Sequence, residues 1–368
     1  MKTTRRELIA ATPALAVGLT GAAEAAPEKK MNAWQIGEQK GIESLQRVQR
    51  AAPTVGPGEV VVRVRAASLN HRDLMIGSAR YGARKPDDRI PLGDGSGEIL
   101  ELGVGVAGWK VGDRVTAPHF VQWLDGVYSP AIFARDLGNT ADGWLAERIV
   151  LPAAALVRVP ESLSHEEAAA LGAAGITAWS VIEAFAGVKA GDVVLALGTG
   201  GVSILALQIA KMAGATFAIT SSSDAKLAIA RELGADITVN YRKQPDWPTA
   251  VRAATGGRGV DIVVETVGVA SLSQSLSCCA PNARIGLLGA LGGRAEGGSD
   301  LQGLIGGNAI IKGITAGSRR MHEDLLRACA ANGVKPKIDR SFGFDEAPAA
   351  YRFLEAGDFV GKIVLTAA

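Results

Sequence analysis

Val193-Val-Leu-Ala-Leu197-Gly198-Thr199-Gly200-Gly201-Val202-Ser203 is the stretch whose reading decides the fold. Five apolar residues in a row predict a strand buried on both faces, as in a parallel sheet covered by helices. Gly198 permits a tight turn, and Gly200 lets backbone approach a ligand closely. The pattern is G-x-G-x-x-G with Ser203 in the third place, still small enough for helix–strand packing. A helix opening near Gly201 turns free N–H groups and its positive dipole end toward the loop. Thr199, Gly201 and Val202 complete a turn suited to the pyrophosphate of a dinucleotide.

Working outward, apolar runs at Thr216–Thr220, Ile237–Asn240, Ile262–Glu265, Arg284–Leu288 and Ala309–Ile314 alternate with helical patterns such as Val202–Ala213 and Ala225–Leu233. Six β segments with helix-length connectors predict an α/β fold with a doubly wound parallel Rossmann sheet. Upstream, Glu59–Ala67, Gly97–Leu102 and Trp109–Val115 are short β segments punctuated by Pro57-Gly58 and Gly103-Val-Gly105. That rhythm predicts a small bent barrel or sandwich. Downstream, a helix at Arg319–Ala331 and a β segment at Lys362–Thr366 return to it. The expected organisation is therefore a β-rich domain at 26–156, a Rossmann domain at 157–316 and a return at 317–368.

The second Rossmann strand runs into Ser221-Ser222-Ser223, where an NAD site usually carries an acid for the ribose 2′-hydroxyl. Lys226 lies one helical turn on, and Tyr241 follows the third strand. Hydroxyls and a cation suit a 2′-phosphate, so NADP(H) is expected over NAD(H). Asp224 falls in the same window but reads as the cap of the next helix. Val267-Gly268 and Gly289 end the fourth and fifth strands, on the side where open α/β sheets bind ligands. Thr177 is a further candidate at the nicotinamide end.

Composition narrows the class. The 368 residues carry 39 Lys+Arg against 37 Asp+Glu, a net +2, which gives no basic footprint for nucleic acid. Three cysteines supply neither a disulfide framework nor a Cys-rich zinc lobe. Thr4-Arg5-Arg6-Glu7-Leu8, an Ala-rich apolar stretch and Ala23-Glu24-Ala25 read as a twin-arginine export signal over 1–25. The expectation is a periplasmic protein without a stable membrane anchor, handed to the twin-arginine machinery; the alternative is a true start at Met31.

Several further motifs carry a resemblance. They are Pro57-Gly58-Glu59-Val60, Ala67-Ser-Leu-Asn70-His71-Arg72-Asp73-Leu, Pro91-Leu-Gly93-Asp94-Gly95-Ser-Gly97-Glu, Val111-Gly112-Asp113-Arg114-Val115, Ile176-Thr177-Ala178-Trp179 and Gly361-Lys362-Ile-Val. With the Gly198 loop, these make Met31–Ala368 resemble the medium-chain dehydrogenase/reductase superfamily. The resemblance implies a GroES-like catalytic domain beside the Rossmann domain, hydride transfer with a nicotinamide, and a homodimer formed through the last Rossmann strand. Zinc-bearing members hold their metal with a Cys, a His-Glu pair and a later Cys or Asp. This chain has Asn70, Asp94-Gly95 and Ala173 at those places, so it looks like the zinc-free branch of quinone and enone reductases and alcohol dehydrogenase-like proteins.

Without a metal, hydrogen-bond donors must stabilise the charge that grows on a small substrate's oxygen. The candidates are Asn70 through its amide, Tyr81 through its hydroxyl, Arg72 and Asp73. Asp73 also reads as a backbone cap of the following turn, and Arg72 as a surface ion pair or a phosphate ligand. Tyr81 could equally be a wall of the cleft. His119, His165 and His322 show no pairing pattern, and Cys278-Cys279 read as thiols in a helix. The competing functional reading is a nucleotide-binding, redox-responsive protein without catalysis.

Overall fold

A computed structural model of the chain describes residues 30–289 and 301–367; the expected export signal and residues 291–300 of the glycine-rich loop lie outside them. β1 (Lys30–Gln35) and β2 (Gln46–Ala51) pair as an antiparallel ribbon. β3 (Glu59–Leu69) is the spine of the first domain, rich in β-branched residues, with Val60, Val61, Val62 and Val64 buried. After it come α1 (His71–Gly77), β4 (Asp94–Leu102), β5 (Arg114–Thr116), β6 (Arg148–Pro152) and β7 (Val157–Arg158). β3 pairs with β4 on one edge and with β6 on the other, and the sheet continues through β5 to β7. Residues 157–158 were expected in the Rossmann unit. The structure corrects this, because their backbone completes the edge of the first sheet against β5.

The helical pattern begins with α2 (His165–Ala170) and α3 (Ala173–Trp179). There follow β8 (Val193–Leu197), α4 (Gly201–Met212), β9 (Thr216–Ser221), α5 (Asp224–Glu232), β10 (Ile237–Asn240), α6 (Trp247–Ala254), β11 (Val260–Glu265), α7 (Leu272–Ser277), β12 (Cys279–Leu287), α8 (Gln302–Gly307) and β13 (Ile310–Gly313). The six strands are parallel, in the order β10-β9-β8-β11-β12-β13. Every residue of β8 is buried, as its unbroken apolar run requires. The strand order reverses between β8 and β11, and the crevice beyond their carboxyl ends is where such sheets bind ligands. Cys279 opens β12 rather than sitting in a helix, because it pairs with Val260 of β11. The α5 cap is Ser223, whose Oγ accepts from Lys226 N, and not Asp224 as expected.

The last segment divides between the domains. α9 (Arg319–Asn332) buries Leu325, Leu326 and Cys329 in the Rossmann core, although it was expected in the return. β14 (Ile338–Gly343), α10 (Ala347–Ala356) and β15 (Lys362–Thr366) go to the first domain, where β15 lies antiparallel to β3.

The end of β11 is fixed by one carboxylate. Glu265 is fully buried, and its Oε1 accepts from Val267 N at 3.1 Å, Gly268 N at 3.0 Å and Ser271 Oγ at 2.8 Å. Ser275 Oγ donates to Oε2. Glu265→Ala strands two amides and the Ser275 hydroxyl without acceptors, while Ser271 Oγ keeps Gly268 O at 3.2 Å. It is expected to cost about 3 kcal/mol or more, read as a lower urea midpoint at unchanged slope.

Candidate active site

The cofactor turn is built as its glycines suggest. Gly198 has φ +72°, in the left-handed region that glycine enters without strain. Gly200 caps α4 with no side-chain hydrogen bond, leaving the first amides of the helix to a ligand. A Cβ at Gly200 would meet nothing within 4 Å, so this face of the turn is open. Ser203 Oγ and Thr266 Oγ1 both donate to Leu197 O, at 2.7 and 2.6 Å, and lock the strand end. From the other domain, Gly361 N donates to Thr199 O at 3.1 Å.

The ribose end differs in part from expectation. Ser221 is buried and accepts from Ser223 N at 3.3 Å, while Ser222 is half-buried beside it. Lys226 does not lie free there: its ammonium donates to Gly357 O at 2.6 Å and faces Asp358 at 3.5 Å. Asp224 is tied to Asn240 and Lys243, and Tyr241 is exposed. Val267 and Gly268 hold to Glu265, and Gly289 follows β12. Thr177 is buried, its hydroxyl donating to Ala173 O at 2.6 Å.

The substrate loop is organised around a residue that the sequence reading did not single out as functional. Lys362, the first residue of β15, is 2% exposed. Its Nζ donates to Leu69 O at 2.7 Å and to Asn70 Oδ1 at 2.6 Å. Asn70 Nδ2 donates in turn to Asp94 Oδ2 at 2.7 Å, and Ala173 N donates to Asp94 Oδ1 at 2.8 Å. The lysine stem packs closely on residue 201, where an added Cβ would lie 2.8 Å from Lys362 Cδ. Burial pushes the Lys362 pKa down, and the charges of Asp94 and Asp73 oppose that shift.

Asp73 caps α1. It is 2% exposed, and its Oδ2 accepts from Asn70 N at 2.7 Å at the start of α1. Arg72 is in a buried ion pair, not a surface one. Its Nη2 lies 2.9 Å from both oxygens of the buried Asp136, while Nε and Nη1 are buried with no partner among the described residues. The Arg72 guanidinium stacks on Tyr81 at 5.2 Å from the ring centre. Burial raises the Tyr81 pKa against the pull of Arg72, which keeps its hydroxyl protonated. His119 and His322 are buried with pKa values pushed down by desolvation, that of His322 to about 3. His165 Nδ1 meets Ser96 Oγ at 2.8 Å, away from the loop.

Residues 201–331 match the zinc-binding dehydrogenase family, and residues 56–161 the alcohol dehydrogenase GroES-like domain. A zinc-type alcohol dehydrogenase-like protein of Schizosaccharomyces pombe is 40% identical over 338 residues, covering 89% of this chain and 96% of the relative. This chain is an alcohol dehydrogenase-like member of the medium-chain dehydrogenase/reductase superfamily. A provisionally assigned alcohol dehydrogenase of Sinorhizobium meliloti superposes with a TM-score of 0.85 at 36% identity, covering 93% of this chain and all of that one. A NAD-dependent alcohol dehydrogenase superposes with a TM-score of 0.84 at 34% identity, covering 92% of this chain and all of that one.

Membership raises the question of zinc, which needs thiolate, imidazole or carboxylate ligands in tetrahedral directions. At the places the family resemblance assigns to the metal stand an amide, one carboxylate with both oxygens engaged, and Ala173. This set does not fit the ion. Among the described residues no group of three or more His, Cys, Asp or Glu could hold a metal.

Burial raises the Asp73 pKa to about 7, against Arg72 and the Asn70 amide and with the help of Asp94. In the unfolded chain it is about 4, so between these values the folded state binds the extra proton. The stability cost is absent below about pH 4, grows as the pH rises toward 7 and is complete above it. Asp73→Asn keeps an acceptor for the cap without that charge. Its urea-derived stability relative to wild type is expected to improve by about 1–3 kcal/mol between pH 5 and pH 8.

Proposed function

We propose that this dehydrogenase-like chain is a zinc-independent, NADP(H)-preferring oxidoreductase. It would pass hydride between the nicotinamide and a small carbonyl, enone, quinone or alcohol. The observation that carries this reading is the open, uncapped α4 N-terminus at the strand-order reversal, bound through Thr199 to the strand entering Lys362. Those amides would hold the diphosphate of a bound dinucleotide.

When bound, the nicotinamide would supply the hydride that a carbonyl carbon takes up in the reducing direction. The C=O electron pair moves to oxygen, and oxygen takes up a proton. The donor offered to that oxygen is the second N–H of Asn70, and Tyr81, whose ring lies against the buried Arg72 guanidinium, is the hydroxyl proposed for the proton. NADP preference is supported by Ser221 and Ser222, which put hydroxyls where a carboxylate would repel a 2′-phosphate. The occupation of Lys226 by Gly357 leaves those hydroxyls to carry the preference.

Two further readings belong to the same proposal. Residues 1–25 direct export of the folded, cofactor-loaded chain to the periplasm, and no helix among the described residues is long and apolar enough to cross a membrane. Two copies join along β13, the edge of the parallel sheet, where Ile310 is 57% exposed; Ile305 of the preceding α8 is 88% exposed.

Calorimetry should give NADPH at least about tenfold tighter than NADH, and Ser221→Asp should reverse the order. Loss of nicotinamide absorbance should follow addition of at least one member of a panel of aldehydes, enones and quinones. Uptake of neither nucleotide overturns the proposal. Tight uptake with no turnover on the whole panel favours the non-catalytic alternative instead.

A further inference from the structure

We infer that Lys362 is a positioning residue of the hydride-transfer site: with Asp94 it clamps the Asn70 amide in one orientation and leaves that amide's second N–H for the substrate oxygen. The inference rests on the redox reading above and adds to it a residue and a division of roles.

The argument is one of donor and acceptor chemistry. An asparagine amide has two ends of nearly equal shape, and only its neighbours decide which way it faces. Here one neighbour can only donate and the other, when ionised, can only accept. The Lys362 ammonium has no lone pair, so the end 2.6 Å from it is the carbonyl oxygen. The other end, 2.7 Å from Asp94 Oδ2, is the NH2 group and donates to that oxygen. A flipped amide would set N–H against N–H and oxygen against oxygen in a buried place, and each mismatch would be costly.

Both clamps are themselves held. Lys362 is fixed by Leu69 O, and its stem crosses Gly201. Asp94 is fully buried and fixed by Ala173 N at the start of α3. The bonds run from the cofactor-side helix through the amide to the catalytic domain. Asn70 alone of the three is only partly buried, so the free N–H belongs to the member that can meet a substrate. Charge separation across the amide, ammonium on oxygen and carboxylate on nitrogen, holds that donor in place before any substrate arrives. Such preorganisation acts on the transition state more than on substrate binding.

The test is a double-mutant cycle on the full-length holoenzyme, with NADPH and whichever carbonyl substrate the panel identifies. Lys362→Met should lower kcat by about a hundredfold while KM and the NADPH Kd move less than about threefold. Lys362→Arg, which keeps a donor facing Asn70 Oδ1, should recover about a tenfold part of the loss. Adding Lys362→Met to Asn70→Ala should cost little more than Asn70→Ala alone, because the lysine acts through the amide. Asp94→Asn, close in shape, should also lower kcat at steady KM and decides the matter if Lys362→Met does not fold. A kcat within threefold of wild type in Lys362→Met, or in Asp94→Asn where that stands in, overturns the inference alone. So does a double variant whose losses multiply. Wild-type protein that binds nucleotide but turns over no carbonyl overturns the redox reading, and this inference falls with it.

Discussion

An ammonium group shut away from water must find lone pairs or give up its proton, and the position of Lys362 obliges the surrounding structure to supply them. The acceptors are the last carbonyl of β3 and the amide of the residue after it. Both exist in that place because β15 lies antiparallel to β3, with Ile363 opposite Leu69. The strand that brings the lysine also pins the cofactor turn, since the residue before it donates to Thr199 O. One short segment at the end of the chain therefore sets the distance between the nucleotide site and the substrate loop. This explains why a domain of local β structure needs residues nearly three hundred positions away to complete its sheet.

The loop after β3 is a set of charges matched one by one. Lys362 is answered through Asn70 by Asp94, and Arg72 by Asp136, which also accepts from Asn139 Nδ2 at 2.8 Å. Asp73 is the member without a full ion pair. Its Oδ1 is buried with no partner among the described residues, and its raised pKa follows from that. Pairs of this kind contribute little net stability, because desolvation offsets most of the attraction. What they provide is fixed direction: each donor in the loop has its orientation set before a substrate is present.

The Rossmann half was legible because its signals are local. Val193–Leu197 is an unbroken apolar run, and it forms a central strand with the expected bounds. The turn glycines and Ser203 follow from the same stretch. Side-chain partnerships were not legible where they join distant residues. Arg72 finds Asp136 across 64 positions and Lys226 finds Gly357 across 131, so neither partner could be read from its neighbours. Asp224 was misread at closer range, because two adjacent residues could both cap the helix and Ser223 took the place. Lys362 offered a usable signal: a lysine opening the run Ile363-Val364-Leu365 begins a strand buried on both faces. Such a strand has no solvent side to which its side chain could escape.

On the zinc-independent reading proposed above, fixed donors take over the part of a metal ion. A divalent ion stabilises a growing oxyanion by its own charge and brings a net positive field to the pocket. Here the positive charges of Lys362 and Arg72 are each matched by a buried carboxylate, so the loop's formal balance is near zero when Asp73 holds its proton. A neutral pocket with fixed donors gains little from binding an anion. It gains most when an uncharged carbonyl enters and the oxygen becomes negative only as hydride arrives, because donors already aligned need not reorganise. On the redox reading proposed above, the chemistry suited to this loop is one in which charge appears during the reaction and is absent from the substrate.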